Sequence, residues 1–206
     1  MAQKGKYLAA VSAAFLFISP MNAQDTRSNL HINSGLSYML TENIDSGFKT
    51  GFGFSFPLLK KTSVTFDFGY WKSSVHKEPK GLFNGTLSMA PFHVSLYYTL
   101  FENKNFMPYV FGGTGFIFTH FEIKDLITIP EVSIDQEVSN GISFHAGAGS
   151  LLKINQRLAL YGEACFLLIK GDGITTFTDM NRGVSTENFS LNLDSFVFCL
   201  GIKYYL

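Results

Sequence analysis

The chain has 206 residues, the size of a single domain, with 16 basic and 16 acidic residues and no net charge at pH 7. That balance excludes a basic field for nucleic acid. Charged residues make up 16% and aromatic residues another 16%, with 22 Phe and 19 Gly. An ordinary soluble domain carries about 25% charged residues, so this chain is short of material for a wetted surface and points toward lipid.

The chain opens on a segment that reads as a signal peptide. Lys4 and Lys6 form a basic start, residues 7–18 an apolar run, and Ser19, Pro20 and Met21-Asn22-Ala23 a cleavage region, which places the cut after Ala23. The apolar run is about half the length of a spanning helix, which argues against an uncleaved anchor. No Cys follows it, so a lipoprotein anchor is not expected. Residues 24–206 remain as one domain. Losing Lys4 and Lys6 from the 16 basic residues, against 16 acidic ones, gives it a net charge near −2.

From residue 29 onward the pattern has period two, and no segment has a convincing helical period. Residues 30–40 set Leu30, Ile32, Leu36, Tyr38 and Leu40 against His31, Asn33, Gly35 and Ser37. Residues 47–57 are the clearest strand, with Phe48, Thr50, Phe52, Phe54 and Phe56 on one face and Gly47, Lys49, Gly51, Gly53 and Ser55 on the other. Val64, Phe66, Phe68 and Tyr70 then oppose Thr65, Asp67, Gly69 and Trp71, which closes a β-hairpin. In residues 87–100 the apolar face is Phe92, Val94, Leu96, Tyr98 and Leu100. Residues 108–121 form a strand of open orientation, since Tyr109, Phe111 and Ile117 compete with Val110, Phe116 and Phe118. Residues 142–152, 158–170 and 189–206 complete a set of eight, mostly long enough for tilted membrane strands.

Connections 58–62, 101–106 and 153–157 are short. Connections 72–86, 122–140 and 171–188 are long and polar, and 41–46 is intermediate. Short turns at one end and long loops at the other fit an outer-membrane barrel, with turns periplasmic and both chain ends at that rim. A soluble eight-stranded barrel would need a charged exterior. Here the polar face is mostly Gly, Ser, Thr, Ala and Asn, with Lys49, Asp67, Glu163 and Lys203 as its main charges. Such a face suits a lumen filled by side chains, whereas the Phe-rich face would be a large apolar patch in water. The expected fold is all-β, an eight-stranded antiparallel up-and-down transmembrane β-barrel.

Three segments carry a family resemblance: Pro108-Tyr109-Val110-Phe111-Gly112-Gly113-Thr114-Gly115, Leu160-Tyr161-Gly162-Glu163-Ala164 and Gly201-Ile202-Lys203-Tyr204-Tyr205-Leu206. Through them nearly the whole of residues 24–206 resembles the outer-membrane β-barrel domain proteins common in Bacteroidetes, relatives in shape of OmpX and the OmpA barrel. The resemblance implies that Gly201, Tyr204 and Leu206 form the terminal signal read by the barrel-assembly machinery. Where the family more often ends in Phe, this chain has Leu206.

The lumen candidates are Lys49, Asp67, Glu163 and Lys203, which lie on neighbouring strands as Lys49 with Asp67 and Glu163 with Lys203. They serve either as buried salt bridges filling the lumen or as an ion path. Salt bridges are favoured because an unpaired buried charge costs several kcal/mol. In one register of the last two strands Glu163 faces Lys203; in another Cys165 faces Cys199. The two Cys permit a disulfide in an oxidising compartment, but free thiols are at least as expected because cross-strand bridges are strained.

Ser143, His145 and Glu163 contain the residue types of a hydrolase. Lipid A deacylases of the PagL type are eight-stranded barrels with such a set, but they have His before Ser, and here both residues face the lumen. His31, His93 and His145 show no metal-ligand spacing. The long loops are the expected working surface. Residues 122–140 carry Glu122, Asp125, Glu131, Asp135 and Glu137 against Lys124, and residues 72–86 carry Lys72, Lys77 and Lys80. Leu126, Ile127, Ile129, Val132 and Ile134 could extend strands above the membrane. The expectation is a non-enzymatic, monomeric barrel in outer-membrane lipid and lipopolysaccharide, with no cofactor or metal. A narrow channel is the second reading and a lipid-A-modifying hydrolase the third.

Overall fold

The computed structural model describes residues 27–76, 84–101, 103, 105–124, 132–179 and 183–206. The expected signal peptide and its cut after Ala23 lie outside these, as do Lys77, Lys80, Asp125, Leu126, Ile127, Ile129 and Glu131. Ten strands are formed: β1 Asn29–Met39, β2 Gly47–Leu59, β3 Thr62–Val75, β4 Gly85–Thr99, β5 Phe106–Ile123, β6 Val132–Val138, β7 Gly141–Lys153, β8 Leu158–Asp179, β9 Gly183–Asn192 and β10 Ser195–Tyr205. All pairings are antiparallel, and β10 pairs with β1 to close the ring.

The ten segments make eight staves. β6 and β7 both pair with β8, and between Val138↔Gly173 and Ser143↔Ile169 the register slips by one residue, as in a β-bulge. β9 and β10 also pair with β8, in one continuous register from Lys170↔Asn192 to Ser195↔Leu167. The break between them is local: the Ile169 N–H donates to the Asp194 Oδ1 at 2.9 Å, replacing a ladder bond.

Alternation fixes which side of each stave is wet. Apart from the shift at Leu59↔Thr62 beside the β2–β3 turn, the barrel registers pair odd residues with odd, so odd-numbered side chains point inward around the ring. The outward side is an apolar belt, with Ile32 61%, Phe52 60%, Ile142 62% and Leu200 74% exposed. Outward tyrosines stand toward both ends of the belt, Tyr38 and Tyr70 at the loop end, Tyr98 and Tyr204 at the turn end, where interfacial aromatic girdles belong. β5, whose face the sequence left open, turns Tyr109, Phe111 and Ile117 inward and Val110, Phe116 and Phe118 outward.

Partners followed once around the wall run from Ala159 through Lys203, His31, Gly53, Asp67, His93, Gly115 and Ser143 to Ile169, ten residues farther along β8. That stagger is the shear that tilts the staves and sets the width of the ring.

The loop end departs from expectation. Residues 171–188 were expected as a long polar loop, but β8 runs for 22 residues to Asp179 and β9 returns from Gly183. With β6 these form a three-stranded tongue above the ring, roughly 30 Å of strand at about 3.3 Å per residue. Its β-branched run Ile174, Thr175, Thr176 and Thr178 favours extension, and Phe189 lies across Gly173, where a Cβ would stand 2.1 Å from the ring. Residues 132–138 of the 122–140 connection are strand, the extension above the membrane that Val132 and Ile134 allowed.

Candidate functional site

The interior is built in three layers. Near the loop end an apolar plug gathers Trp71, Leu87, Met89, Ile117, Leu167 and Ile169, none more than 2% exposed. Near the turn end a second cluster holds Tyr97, Tyr109, Phe111, Tyr161 and Tyr205. Between them lies a polar chamber with a cavity of about 40 Å³, lined among others by Lys49, Asp67, His93, His145, Glu163 and Cys199. Such a space takes water but no solute.

One rule of construction places the polar side chains. A glycine on one stave leaves room for the residues on the staves either side of it to meet across it. His31 and Asp67 both pair with Gly53 and join across it at 2.6 Å. His93 and Ser143 meet across Gly115 at 3.1 Å, and Ser95 and His145 across Gly113 at 2.7 Å. Tyr109 donates to Glu163 across Gly149 at 2.8 Å, and Asn33 to the Tyr161 hydroxyl across Gly201 at 3.2 Å.

These contacts reassign the four lumen charges. Lys49, Asp67, Glu163 and Lys203 all point inward, but neither expected pair forms. Lys49 faces Trp71, four residues along β3 from Asp67, and its ammonium lies 5.8 Å from the indole. Asp67 is held by His31. Glu163 faces Cys199, four residues from Lys203, and accepts from Tyr97 at 3.2 Å as well as from Tyr109. Lys203 sits instead among three rings, 5.0, 5.2 and 4.8 Å from the centroids of Tyr97, Tyr109 and Tyr161. Each desolvated cation–π contact contributes about 2 kcal/mol, which offsets much of the several kcal/mol lost on burying an ammonium. The two tyrosines that separate Glu163 from Lys203 bind the carboxylate with their hydroxyls and the cation with their faces.

Neither register proposed for the last two staves occurs. Cys165 faces Val197 and Cys199 faces Glu163, and both thiols are free. Ser143, His145 and Glu163 are not assembled as a triad, since Ser143 bonds His93 and His145 bonds Ser95. Ser143 is wholly buried. His93 and His145 stack with centroids 4.6 Å apart, yet among the described residues no His, Cys, Asp and Glu cluster has the geometry to hold a metal. Sequence reasoning missed His31 as the partner of Asp67 and the tyrosines as the partners of Glu163 and Lys203. Part of their signal was present, since Tyr97 and Tyr161 alternate in step with the lumen residues His93 and Glu163.

No protein-family model and no curated protein matches the chain. Solved structures do. The outer membrane protein OprG from Pseudomonas aeruginosa superposes with a TM-score of 0.62 at 15% identity, covering 90% of this chain and 99% of that one. The fold is that of an outer-membrane β-barrel. A major outer membrane protein from Thermus thermophilus matches this barrel with a TM-score of 0.61 at 12% identity, over 89% of this chain and 100% of that one. Neisserial surface protein A matches it at 0.57 and 10%, over 87% and 97%. At these identities the likeness carries the architecture and not an activity. The differences that set this barrel's behaviour must therefore be sought in its own lumen and tongue.

Proposed function

We propose that the chain is an integral, non-enzymatic outer-membrane protein with a closed lumen, whose working surface is the loop end and its three-stranded tongue. The observation that carries this reading is the filled interior. Two packed layers bracket a chamber of only about 40 Å³, so among the described residues neither a diffusion path nor a substrate cleft runs through the barrel. The tongue presents Asp135, Glu137, Asp172 and Glu187 to solvent on strands anchored in the wall, a scaffolded polar surface of the kind that carries interactions. Closure of β10 on β1 leaves no free edge in hydrocarbon, which supports a monomer in outer-membrane lipid and lipopolysaccharide.

The same reading takes residues 1–23 as an export signal cut after Ala23 and residues 24–206 as the barrel domain, akin to the Bacteroidetes barrels. It also takes Gly201, Tyr204 and Leu206 as the signal for the barrel-assembly machinery. Tyr204 and Leu206 are outward at 44% and 65% exposure, and Gly201 lies against Tyr161, so the two side chains are displayed while the glycine serves packing. The test is planar-bilayer recording of the purified protein, folded as judged by heat-modifiable gel mobility. The bilayer stays electrically silent on this reading, and steady, reproducible openings overturn it in favour of a narrow channel.

A further inference from the structure

The turn end of the barrel is charged differently from the loop end. A cavity of about 90 Å³ opens there, and Arg27, Lys60, Lys61 and Lys203 line it with no acidic side chain among the described residues. Lys60 and Lys61 come from the tight turn between β2 and β3, Arg27 from the segment entering β1, and Lys203 from the wall of β10. The deepest of the four decides the matter. Lys203 is 6% exposed, and three ring faces surround its ammonium from the lumen side. Ring faces stabilise a cation without accepting its hydrogen bonds in the ordinary sense. No carboxylate lies within 4.0 Å of it among the described residues, because the Glu163 oxygen is turned to the hydroxyls of Tyr97 and Tyr109.

Two further groups in the same wall lack partners. The Thr62 hydroxyl and the Asn29 carboxamide oxygen are buried and make no hydrogen bond among the described residues. The Thr62 hydroxyl is a ready donor, whereas the Asn29 oxygen only accepts. A buried polar group left unpaired costs about 1–3 kcal/mol, so a mouth with the Thr62 donor and a clustered positive charge is built to receive acceptors.

We propose that this turn-end mouth binds a phosphate oxyanion, with Lys203 as the buried contact and Lys60, Lys61 and Arg27 as its rim. Lysine ammonium groups bind phosphate as point charges, and three of them line this mouth. The volume sets the size of the ligand. Sites for metabolites run to about 300–1,000 Å³, so this one takes a small ion or the end group of a longer molecule. Two sources present that chemistry at this rim, free inorganic phosphate and the phosphodiester of an anionic phospholipid in the adjoining leaflet.

The test is calorimetric titration of inorganic phosphate into the full-length protein in nonionic detergent, at constant ionic strength held with chloride. Wild type binds saturably, and Lys203→Met, which keeps the length of the side chain, weakens binding at least tenfold. A Lys60→Gln/Lys61→Gln double variant leaves the buried ring cage intact and also weakens binding at least tenfold. Heat-modifiable mobility confirms that each variant is folded. Repeating the wild-type titration with excess short-chain phosphatidylglycerol separates the sources: competition assigns the site to a lipid headgroup, and its absence to the free ion. Failure of wild type to bind either probe saturably overturns the proposal. So does an unchanged affinity in the double variant, whether or not Lys203→Met folds. None of these results depends on whether the barrel conducts, so the closed-lumen reading stands or falls separately.

Discussion

Replacing Gly53 by alanine puts a methyl group where two staves meet across a third. The added Cβ would lie 2.4 Å from the Phe66 carbonyl oxygen and 2.7 Å from both Asp67 Oδ1 and His31 Nε2. Those two atoms are themselves bonded at 2.6 Å, so the methyl cannot be accommodated without moving the pair. Overpacking a filled core costs about 1–3 kcal/mol, and separating a buried charged contact about 3–5 kcal/mol. The two are not additive, because the shift that relieves the clash is the shift that breaks the pair, and the expected loss is about 3–5 kcal/mol. Gly69→Ala is the control. Its Cβ would meet Pro91 Cγ at 3.1 Å, Lys49 Cε at 3.4 Å and the Thr50 carbonyl oxygen at 3.5 Å, contacts that a small adjustment relieves at about 1 kcal/mol or less. Urea unfolding in lipid vesicles measures both, followed by the emission of Trp71, the single tryptophan, which is wholly buried in the loop-end plug. An equal loss of stability in Gly53→Ala and Gly69→Ala would refute the reasoning that inward glycines exist to let alternate staves touch.

Three other substitutions or treatments probe the same interior. Glu163→Gln removes the nearest balancing charge of Lys203 while keeping an acceptor for Tyr97 and Tyr109, and costs about 3–5 kcal/mol in the same unfolding assay. Adding Lys203→Met returns a good part of that loss, and strict additivity of the two changes would mean that the tyrosines do not couple the charges. Trp71→Ala costs about 3–5 kcal/mol and thins the upper plug, so brief current steps are expected in planar bilayers where wild type is silent. Unaltered silence would place the seal in the tyrosine layer below. Cys165 and Cys199, free on β8 and β10, resist alkylation in the folded barrel and both label after unfolding without reductant, as mass spectrometry reads. A form that labels only after reduction would contradict the free thiols.

The outward half of the fold was legible and the inward half much less so. Phe48, Phe52, Phe54 and Phe56 alternate with Lys49, Gly51, Gly53 and Ser55 because lipid accepts one set and the lumen the other, so period two marked the face directly. On β5 the signal failed for a physical reason. Gly147 and Gly149 on β7 stand opposite Phe111 and Tyr109, and the space they leave admits aromatic rings to the interior, so both sides of the strand are apolar. The tongue was hidden for the opposite reason. Above the membrane neither face of β9 needs to be greasy, and residues 183–190 are exposed or half-exposed, so an extended ribbon read there as a loop.

Register was the step the sequence left undecided, and the lumen chemistry depends on it. Either sequence-derived register of the last two staves gives a reactive residue a chemical partner, Glu163 with Lys203 or Cys165 with Cys199. The structure instead satisfies a bulk requirement, since Tyr161 faces Gly201 and its ring lies where a Cβ would come within 2.5 Å. A slip of two residues either way would set Tyr161 against Cys199 or Lys203, whose side chains would occupy the space of that ring. The cost of such a collision recurs at Gly53, Gly113, Gly115, Gly147 and Gly149, whereas one salt bridge in a low-dielectric lumen is close to neutral once desolvation is counted. Packing of large against absent side chains therefore selects the pairing, and the charges then find aromatic and hydroxyl partners within it. That order of causes explains how Lys203 is left with three ring faces and, among the described residues, no carboxylate, and with its side chain lining the mouth of the barrel.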